Sequence, residues 1–157
     1  MILIADGGST SCDWAVVDTQ TATIVRQFST EGLNPFQRTE SEILSILTTE
    51  VAPQTTEYRL EKVLFYGAGV TPEKGVIVSQ LLGSLFPSAQ VVATSDMDGA
   101  IKGTVGDGDG IVAILGTGSN SVCCQGGVVT DKVAALGYIL GDEGSGAVLG
   151  KRLVADL

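Results

Sequence analysis

Histidine is absent from this chain of 157 residues, and its absence excludes several kinds of catalytic chemistry. Without an imidazole, the chain cannot build a Ser-His-Asp or Cys-His nucleophilic centre, or a zinc site with histidine ligands. Any proton transfer that the protein carries out must therefore fall to a carboxylate.

Cysteine is scarce, and the three cysteines show no spacing typical of metal ligands. Cys123 and Cys124 are adjacent, and Cys12 lies far from both. An odd number of thiols in this arrangement indicates reduced, largely buried side chains rather than a disulfide framework. Reduced thiols are typical of the cytoplasm, which is the location we expect.

Basic residues are few: 9 lysines and arginines stand against 18 acidic residues, for a net charge of −9. No basic cluster exists to neutralise phosphodiesters, so we expect no nucleic-acid partner. No apolar run is long enough to span a bilayer, and the N-terminal segment lacks the basic start of a signal peptide. We therefore expect no membrane partner.

Glycine and apolar residues are plentiful, at 21 glycines and 44% apolar residues, which favours a compact α/β chain with many tight turns. Apolar runs bounded by turn residues predict strands, the first three close enough to be antiparallel neighbours. Helical periodicity with N-cap signals at Thr39 and Thr71 predicts helices between the later strands. The predicted strands are 2–5, 13–17, 23–28, 62–66 and 90–93, and the predicted helices begin near 40, 72 and 98. Their order indicates a mixed sheet with helical crossovers.

The opening pattern recurs after a turn-rich break at 106–110. Residues 112–120 lie in register with 2–10: each segment is an apolar strand, a glycine-rich turn with a hydroxyl residue, and a second strand. We interpret this as an internal duplication with a domain boundary after residue 108. Segment 1–108 then reads as a whole domain, and 109–157 as the start of a second one, either cut short or reduced.

The first glycine-rich turn is a candidate anion site. Gly7 and Gly8 allow close approach and unusual backbone dihedrals, and Ser9 and Thr10 add hydroxyl donors to consecutive backbone N–H groups. Asp6 beside this turn would repel phosphate unless it faces a cation, which predicts Mg²⁺ at Asp6. An ordinary β-turn would show the same residues. Two such turns in one chain favour two phosphate clamps on one ligand.

Three further polar positions carry candidate chemistry. Asp96 follows a buried strand and precedes a helix, where a carboxylate could accept the proton of an attacking hydroxyl. The competing interpretation is a helix N-cap at Ser95 or Asp96. Asp142 lies in a glycine-bracketed segment before a helix and could bind sugar hydroxyls. Asn34 before Pro35 could do the same, or could simply form an Asx turn.

Taken in order, four motifs resemble the N-acetylglucosamine kinase-like proteins. These belong to the BadF/BadG/BcrA/BcrD ATPase family in the sugar kinase/Hsp70/actin superfamily. The resemblance covers nearly the whole chain, and the last two motifs are the specific ones. The motifs are Asp6-Gly7-Gly8-Ser9-Thr10, Ser95-Asp96, Gly116-Thr117-Gly118-Ser119-Asn120 and Gly141-Asp142-Glu143-Gly144-Ser145.

The resemblance implies a ribonuclease H-like (actin-like ATPase) fold and ATP-dependent phosphorylation of N-acetylglucosamine or a related amino sugar, with ATP and Mg²⁺ as cofactors. Asp96 would be the catalytic base. A small-molecule sugar is the implied partner, and a homodimer stays open. The implied ATP-phosphate residues are Gly7, Gly8, Ser9, Thr10, Gly116, Thr117 and Gly118. The implied sugar residues are Asn34, Ser119, Asn120, Gly137 and Asp142.

Two alternatives come from different classes of protein. An ATPase activator of the same family would hold an iron–sulfur cluster through cysteines, for which Cys123 and Cys124 within a predicted strand look unsuited. A non-catalytic sugar- or nucleotide-binding module would bind its ligand without turnover. Relatives are about twice as long, so the resemblance also implies that this chain alone lacks full activity.

Overall fold

A five-stranded mixed sheet organises the first part of the chain, in the order β3-β2-β1-β4-β5. The computed structural model describes residues 1–133 and 135–157, which divide into two units, Met1–Gly99 and Ala100–Leu157. In the first unit β2 is antiparallel to β1 and β3, as the short connections predict, while β4 and β5 run parallel to β1. The strands are β1 Ile2–Gly7, β2 Ser11–Asp18, β3 Thr23–Glu31, β4 Lys62–Gly67 and β5 Gln90–Ser95.

The helices of the first unit begin where their capping residues predict. Thr39 and Glu42 form a reciprocal capping box at α1, and Thr71 caps α3 ahead of Pro72. The helix predicted to end near Thr49 instead continues to Thr55 through a π-helical turn. Pro53 does not end it, because this proline lies in the first turn of α2, where its missing N–H is tolerated. The elements are α1 Glu40–Ile46, the π-helical turn Leu47–Val51, α2 Ala52–Thr55 and α3 Pro72–Leu85. Helix α4, Asp96–Thr104, begins in the first unit and continues past Gly99.

The core of the first unit lies between the sheet and these helices. Trp14 is 2% exposed, stacks parallel to Phe28 at 6.0 Å between ring centroids, and donates its indole N–H to Thr30 Oγ1 at 3.0 Å. Leu3 and Ala5 of β1 are fully buried among the same apolar residues. Alternation along β1 thus buries one face of its strand and leaves Asp6 exposed at its end.

The second unit contains a three-stranded antiparallel sheet in the order β6-β7-β8. Its strand–turn–strand opening repeats that of β1 and β2, with Leu115 paired with Ser119 around the second glycine-rich turn. A short helix, α5, that sequence reasoning missed precedes the predicted C-terminal helix. The elements are β6 Gly110–Leu115, β7 Ser119–Gln125, β8 Val128–Lys132, α5 Gly137–Leu140 and α6 Gly146–Ala155.

The first compact unit ends at Gly99, whereas the glycine-rich break in the sequence lies at 106–110. The division into domains 1–108 and 109–157 stays a prediction. Within the described ranges, no helix is both long and apolar enough to cross a membrane.

All three cysteines are free thiols, as expected from their number and spacing. Cys12 and Cys124 are buried, and Cys123 is half-buried. Burial, reinforced by the negative charges of Asp6 and Asp13, raises the pKa of the Cys12 thiol far above its usual range. Cys12 is therefore a neutral, unreactive core side chain.

Candidate functional site

The carboxyl ends of three parallel strands meet at one edge of the first unit's sheet. Gly7 at the end of β1 is level with Gly67 of β4, which is level with Ser95 of β5. Asp6 precedes this level on β1, and Asp96 follows it as the first residue of α4, directly after β5. Two carboxylates predicted to take part in chemistry are thus brought to the same edge, the position where open α/β sheets place their ligands.

The first glycine-rich turn closes tightly on itself at this edge. The Gly8 N–H donates to the Ser11 carbonyl at 2.8 Å, so this amide serves the turn and is not free for a ligand. Neither Gly7 nor Gly8 has a positive φ, which corrects the expectation of unusual dihedrals. Glycine is needed for close approach: a Cβ on Gly7 would lie 2.6 Å from the Phe65 ring, and one on Gly8 would lie 2.9 Å from the Ser11 carbonyl oxygen. The residues predicted to bind an anion that remain at the tip of the turn are Ser9 and Thr10.

The loop after β3 holds this turn from the other side. The Gly32 N–H donates to the Thr10 carbonyl at 2.9 Å. A Cβ on Gly32 would lie 2.3 Å from the Ser9 carbonyl oxygen, closer than real side chains approach. The backbone at Gly32 thus buttresses the turn, a role that sequence reasoning did not assign.

Asn34 lies against the same turn and is buried, at 9% exposure. Its side-chain amide donates to Ser9 Oγ at 2.8 Å, and its Oδ1 accepts the Phe36 N–H at 2.9 Å. The second bond is the Asx turn that sequence reasoning held open as the alternative. The side-chain NH₂ group of Asn34 can donate one further hydrogen bond, and its Oδ1 can accept one more. The Asn34 side chain also lies over Gly69, where an added Cβ would meet Oδ1 at 2.3 Å.

Ser95, and not Asp96, caps α4. The Asp98 N–H donates to Ser95 Oγ at 3.2 Å, and Asp98 Oδ2 accepts the Ser95 N–H at 3.3 Å. Asp96 Oδ1 accepts the N–H of the adjacent Met97 at 2.9 Å. Ser95 is therefore the N-cap of α4. The second carboxylate oxygen of Asp96 takes no part in capping the helix.

The Asp96 carboxyl has a raised pKa. Burial is the main cause, the Met97 N–H opposes it, and the negative charge of Asp6 raises the pKa further. A carboxylate whose ionised form is disfavoured in this way is a better proton acceptor than an ordinary aspartate. The raised pKa and the position at the strand end together fit the predicted role of a general base.

Asp6→Asn should lower the pKa of Asp96, because the substitution removes the negative charge that disfavours ionisation there. The pKa can be followed through the Asp96 carboxyl carbon in an NMR titration. Asp13→Asn is a matched control, since Asp13 pairs with Asp6 across β1 and β2 but is not among the charges acting on Asp96. An unchanged Asp96 titration in Asp6→Asn would show that the two carboxylates do not interact.

The second glycine-rich turn packs against the start of α6 in the second unit. The Gly116 N–H donates to the Gly118 carbonyl at 2.9 Å, and the Gly146 N–H donates to the Gly116 carbonyl at 2.9 Å. The Ala147 N–H reaches the Thr117 carbonyl at 3.4 Å. The turn thus lies beside a helix N-terminus, where partial positive charge favours anions.

Three of the predicted sugar residues, Ser119, Asn120 and Asp142, line a cavity of about 350 Å³ in this unit. The Asp142 carboxylate lies against Gly118, whose missing Cβ would be 3.0 Å from Oδ2. Asn120 Oδ1 is buried and has no hydrogen-bond partner among the residues that the structure describes.

Gly137 does not line this cavity, although it was predicted with the sugar residues. Its φ of +70° and its carbonyl bond to the Gly141 N–H, at 2.8 Å, give it a local role at the start of α5. The neighbouring Leu136 and Leu140 line the cavity instead. The predicted contact at Gly137 is therefore not among the walls of the cavity.

Ser145 was quoted in a motif but given no role by sequence reasoning. Its Oγ accepts the Val148 N–H at 3.2 Å, it is fully buried, and its own N–H donates to the Asp142 carbonyl at 3.0 Å. Ser145 therefore fixes both the start of α6 and the backbone of Asp142, which adopts a left-handed φ of +63°. A serine directly before a helical pattern is an N-cap signal that could have revealed it.

Comparison with known proteins places this geometry in context. No model of a known protein family matches the chain, and a comparison with curated proteins gives no match. Among solved structures, a candidate N-acetylglucosamine kinase from Porphyromonas gingivalis is 43% identical over 99% of this chain, with a TM-score of 0.93. The chain covers only 56% of that protein, so it spans little more than half its length.

Two more distant structures share the fold. One is an inorganic polyphosphate/ATP-glucomannokinase from Arthrobacter sp. strain KM, at 20% identity over 98% of this chain and 71% of its own, with a TM-score of 0.63. The other is a candidate N-acetylglucosamine kinase from Chromobacterium violaceum, at 20% identity over 98% of this chain and 55% of its own, with a TM-score of 0.63.

The fold is that of the sugar kinases with an actin-like ATPase architecture, as the resemblance implied. More particularly, the resemblance to the N-acetylglucosamine kinase-like proteins, which rested on four short motifs, is confirmed over 99% of the chain.

Proposed function

We propose that the chain supplies the catalytic base and the sugar- and phosphate-binding residues of an ATP-dependent kinase for an amino sugar, N-acetylglucosamine being the best candidate. The observation that carries this proposal is the half-buried Asp96 carboxylate with its raised pKa, at the same sheet edge as a glycine-rich turn. The 43% identity to a candidate N-acetylglucosamine kinase supports the choice of sugar. Membership of the BadF/BadG/BcrA/BcrD ATPase family and a cytoplasmic location remain parts of this proposal.

In the proposed reaction, Asp96 accepts the proton of one sugar hydroxyl as its oxygen forms a bond to the γ-phosphorus of ATP. The bond between that phosphorus and the bridging oxygen to the β-phosphate breaks, and ADP leaves. In the first unit, Thr10 at the tip of its turn would hold phosphate through its hydroxyl and backbone N–H groups, and Thr117 is the corresponding candidate in the second unit. Burial of Asp96 supports this role because it strengthens the base.

A magnesium ion fits the residues at the sheet edge. Mg²⁺ is commonly held by one or two carboxylates together with substrate phosphates, and Asp6 is an exposed carboxylate beside the first turn. No group of three or more metal-ligating side chains occurs in the described parts of the chain, so the remaining ligands would be phosphate oxygens and water. When bound, the ion would neutralise charge on the phosphates.

Amide and carboxylate side chains would hold the acceptor sugar. The Asn34 side chain is fixed by Ser9 and by the Phe36 N–H, and the backbone at Asp142 is fixed by the N–H of Ser145. The unpartnered Oδ1 of Asn120 could accept a hydroxyl or acetamido N–H, which would remove the cost of leaving it unbonded, about 1–3 kcal/mol. The cavity volume of about 350 Å³ lies within the usual range for small-ligand sites.

Asn34→Ala should weaken binding of N-acetylglucosamine by about tenfold, the effect of losing one good hydrogen-bonding group. Calorimetric titration of the sugar into the chain, repeated with glucose, measures this loss and tests the preference for the acetamido group. Gln37→Ala is the control, because Gln37 is exposed in the same loop. Equal affinities of Asn34→Ala and the unchanged chain would remove Asn34 from the sugar site.

The activity itself is tested by following ADP release and sugar phosphate formation by the full gene product with ATP and a panel of amino sugars. We expect transfer to N-acetylglucosamine or a close analogue. Transfer to none of these sugars, with sugar binding intact, would instead identify a non-catalytic binding module.

A further inference from the structure

Phe36 is an aromatic side chain that the fold leaves in solvent, at 67% exposure. The other aromatic residues of Met1–Gly99, a range that the structure describes throughout, are buried or half-buried. The loop that leads to Phe36 is itself buried, from Gly32 to Pro35. Exposure of a single apolar side chain is common, so its meaning depends on what surrounds the ring.

Two neighbours fix the position of the Phe36 ring. Lys74, in the first turn of α3, places its Nζ 5.4 Å from the ring centroid, within the range of a cation–π interaction. A Cβ on Gly69 would lie 3.1 Å from Cδ2 of the ring, so the backbone at Gly69 is also in contact with it. A ring held in this way loses little conformational entropy when a ligand contacts it.

Asn34, a candidate sugar residue, is joined directly to Phe36. The Phe36 N–H donates to Asn34 Oδ1 at 2.9 Å, and the same Oδ1 would meet a Cβ on Gly69 at 2.3 Å. The side chains of Asn34 and Phe36 thus both lie against the backbone of Gly69. Since the Asn34 amide can make further hydrogen bonds, the loop presents an amide and an exposed apolar ring beside one another.

We propose that Phe36 is a specificity-determining residue for the sugar, whose ring contacts the methyl of an acetamido group while Asn34 bonds the amide of that group. The N–H and C=O of an acetamido group can bond another amide, and its methyl gains from apolar contact. A hydroxyl in the same place on a neutral hexose would leave the ring without an apolar partner. This inference rests on the proposed kinase function and extends it, by assigning the recognition of N-acylated amino sugars to this loop.

Three acceptors, N-acetylglucosamine, N-formylglucosamine and glucose, separate the contribution of the methyl from that of the amide. With the full gene product and ATP, we expect kcat/KM to fall about fourfold from the N-acetyl to the N-formyl sugar, the value of one buried carbon. Phe36→Ala should lower kcat/KM for N-acetylglucosamine by the same factor, mainly through KM, and should abolish the difference between those two sugars. Phe36→Leu should retain most of the difference, because leucine keeps an apolar contact.

Val76→Ala is the control for loss of an exposed apolar side chain. Val76 is 58% exposed on α3 of the same unit. Its substitution should leave kcat/KM for each of the three acceptors within about twofold of the unchanged protein. Phe36 is largely exposed, so its variants should fold as the unchanged protein does, which thermal melting verifies.

Equal use of the N-acetyl and N-formyl sugars by the unchanged protein would overturn the inference. An equal loss for all three acceptors in Phe36→Ala would also overturn it, because the ring would then contact the sugar ring and not the methyl. In both cases transfer to an amino sugar persists, so the proposed function stands. Transfer to no sugar at all would remove the proposed function, and the role of Phe36 with it.

Discussion

Asp96→Asn should reduce phosphoryl transfer by the full gene product by about 10²–10⁴-fold, the usual contribution of a general base. Binding of the sugar and of ATP should change little, so the loss should appear in kcat and not in KM. The reason is that asparagine preserves the size of the side chain but cannot accept the hydroxyl proton. Steady-state kinetics with ATP and N-acetylglucosamine measure the effect.

The loss cannot be ascribed to unfolding if the variant is at least as stable as the unchanged chain, and the pKa predicts that it is. The folded state raises the pKa of Asp96, so its contribution to stability is present below the ordinary value and is lost as the pH rises through the raised one. Asparagine carries no charge and removes that loss. Thermal melting at neutral pH should therefore show no decrease for Asp96→Asn.

Asp98→Asn is the control for this experiment. Asp98 lies two residues further along α4, is exposed, and accepts the Ser95 N–H through an oxygen that asparagine retains. Its substitution should leave phosphoryl transfer within about twofold of the unchanged protein. Comparable losses in both variants would point to a disturbed helix start, and full activity in Asp96→Asn would exclude Asp96 as the base.

Gly32→Ala should disrupt the first glycine-rich turn and destabilise the chain by about 3 kcal/mol, the upper end of the usual cost of overpacking. The added Cβ would meet the carbonyl carbon and oxygen of Ser9, at 2.5 and 2.3 Å, and the Gly8 oxygen at 2.7 Å. These are backbone atoms that cannot rotate away as a side chain can. Binding of ATP should weaken as well, because Thr10, a candidate phosphate-binding residue, lies in the same turn.

Gly83→Ala is the matched substitution without a clash. Gly83 lies inside α3, and an added Cβ would meet no atom within 4 Å. Alanine there should stabilise the chain by about 0.5–1 kcal/mol through its better helix propensity. Urea denaturation of the two variants gives both free energies. Equal stability of Gly32→Ala and the unchanged chain would show that the loop does not buttress the turn.

The local structure of this chain was readable from its residues because the signals are short-range. The capping box at Thr39 and Glu42, Thr71 before Pro72, and the closely spaced first strands each predicted the element that the structure contains. Errors came where neighbours decide the outcome. The sequence predicts that the first helix ends near Thr49, but a π-helical turn at Leu47–Val51 carries it on to Thr55.

Candidate site residues could be named from their residue types, but what each one does depends on residues that contact it in the fold. Asp96 could not be distinguished from an N-cap until Ser95 and Asp98 were seen to cap α4 together. The bond from Asn34 to Ser9 joins residues 25 positions apart, and no local pattern predicts it. The buttress at Gly32 is likewise visible only from the backbone it touches.

Residue types and spacing alone determined that this chain is an α/β protein with two glycine-rich turns and a repeated strand–turn–strand opening. They also determined that any proton transfer must use a carboxylate, since the chain has no histidine. These properties follow from backbone preferences and side-chain chemistry, which act over a few residues. The tertiary structure decided which side chains meet, which carboxylate loses solvent, and which copy of the repeat is covered. Burial and long-range pairing depend on the whole folded chain. Leu3 is therefore buried and Leu115 exposed, although both are apolar strand residues.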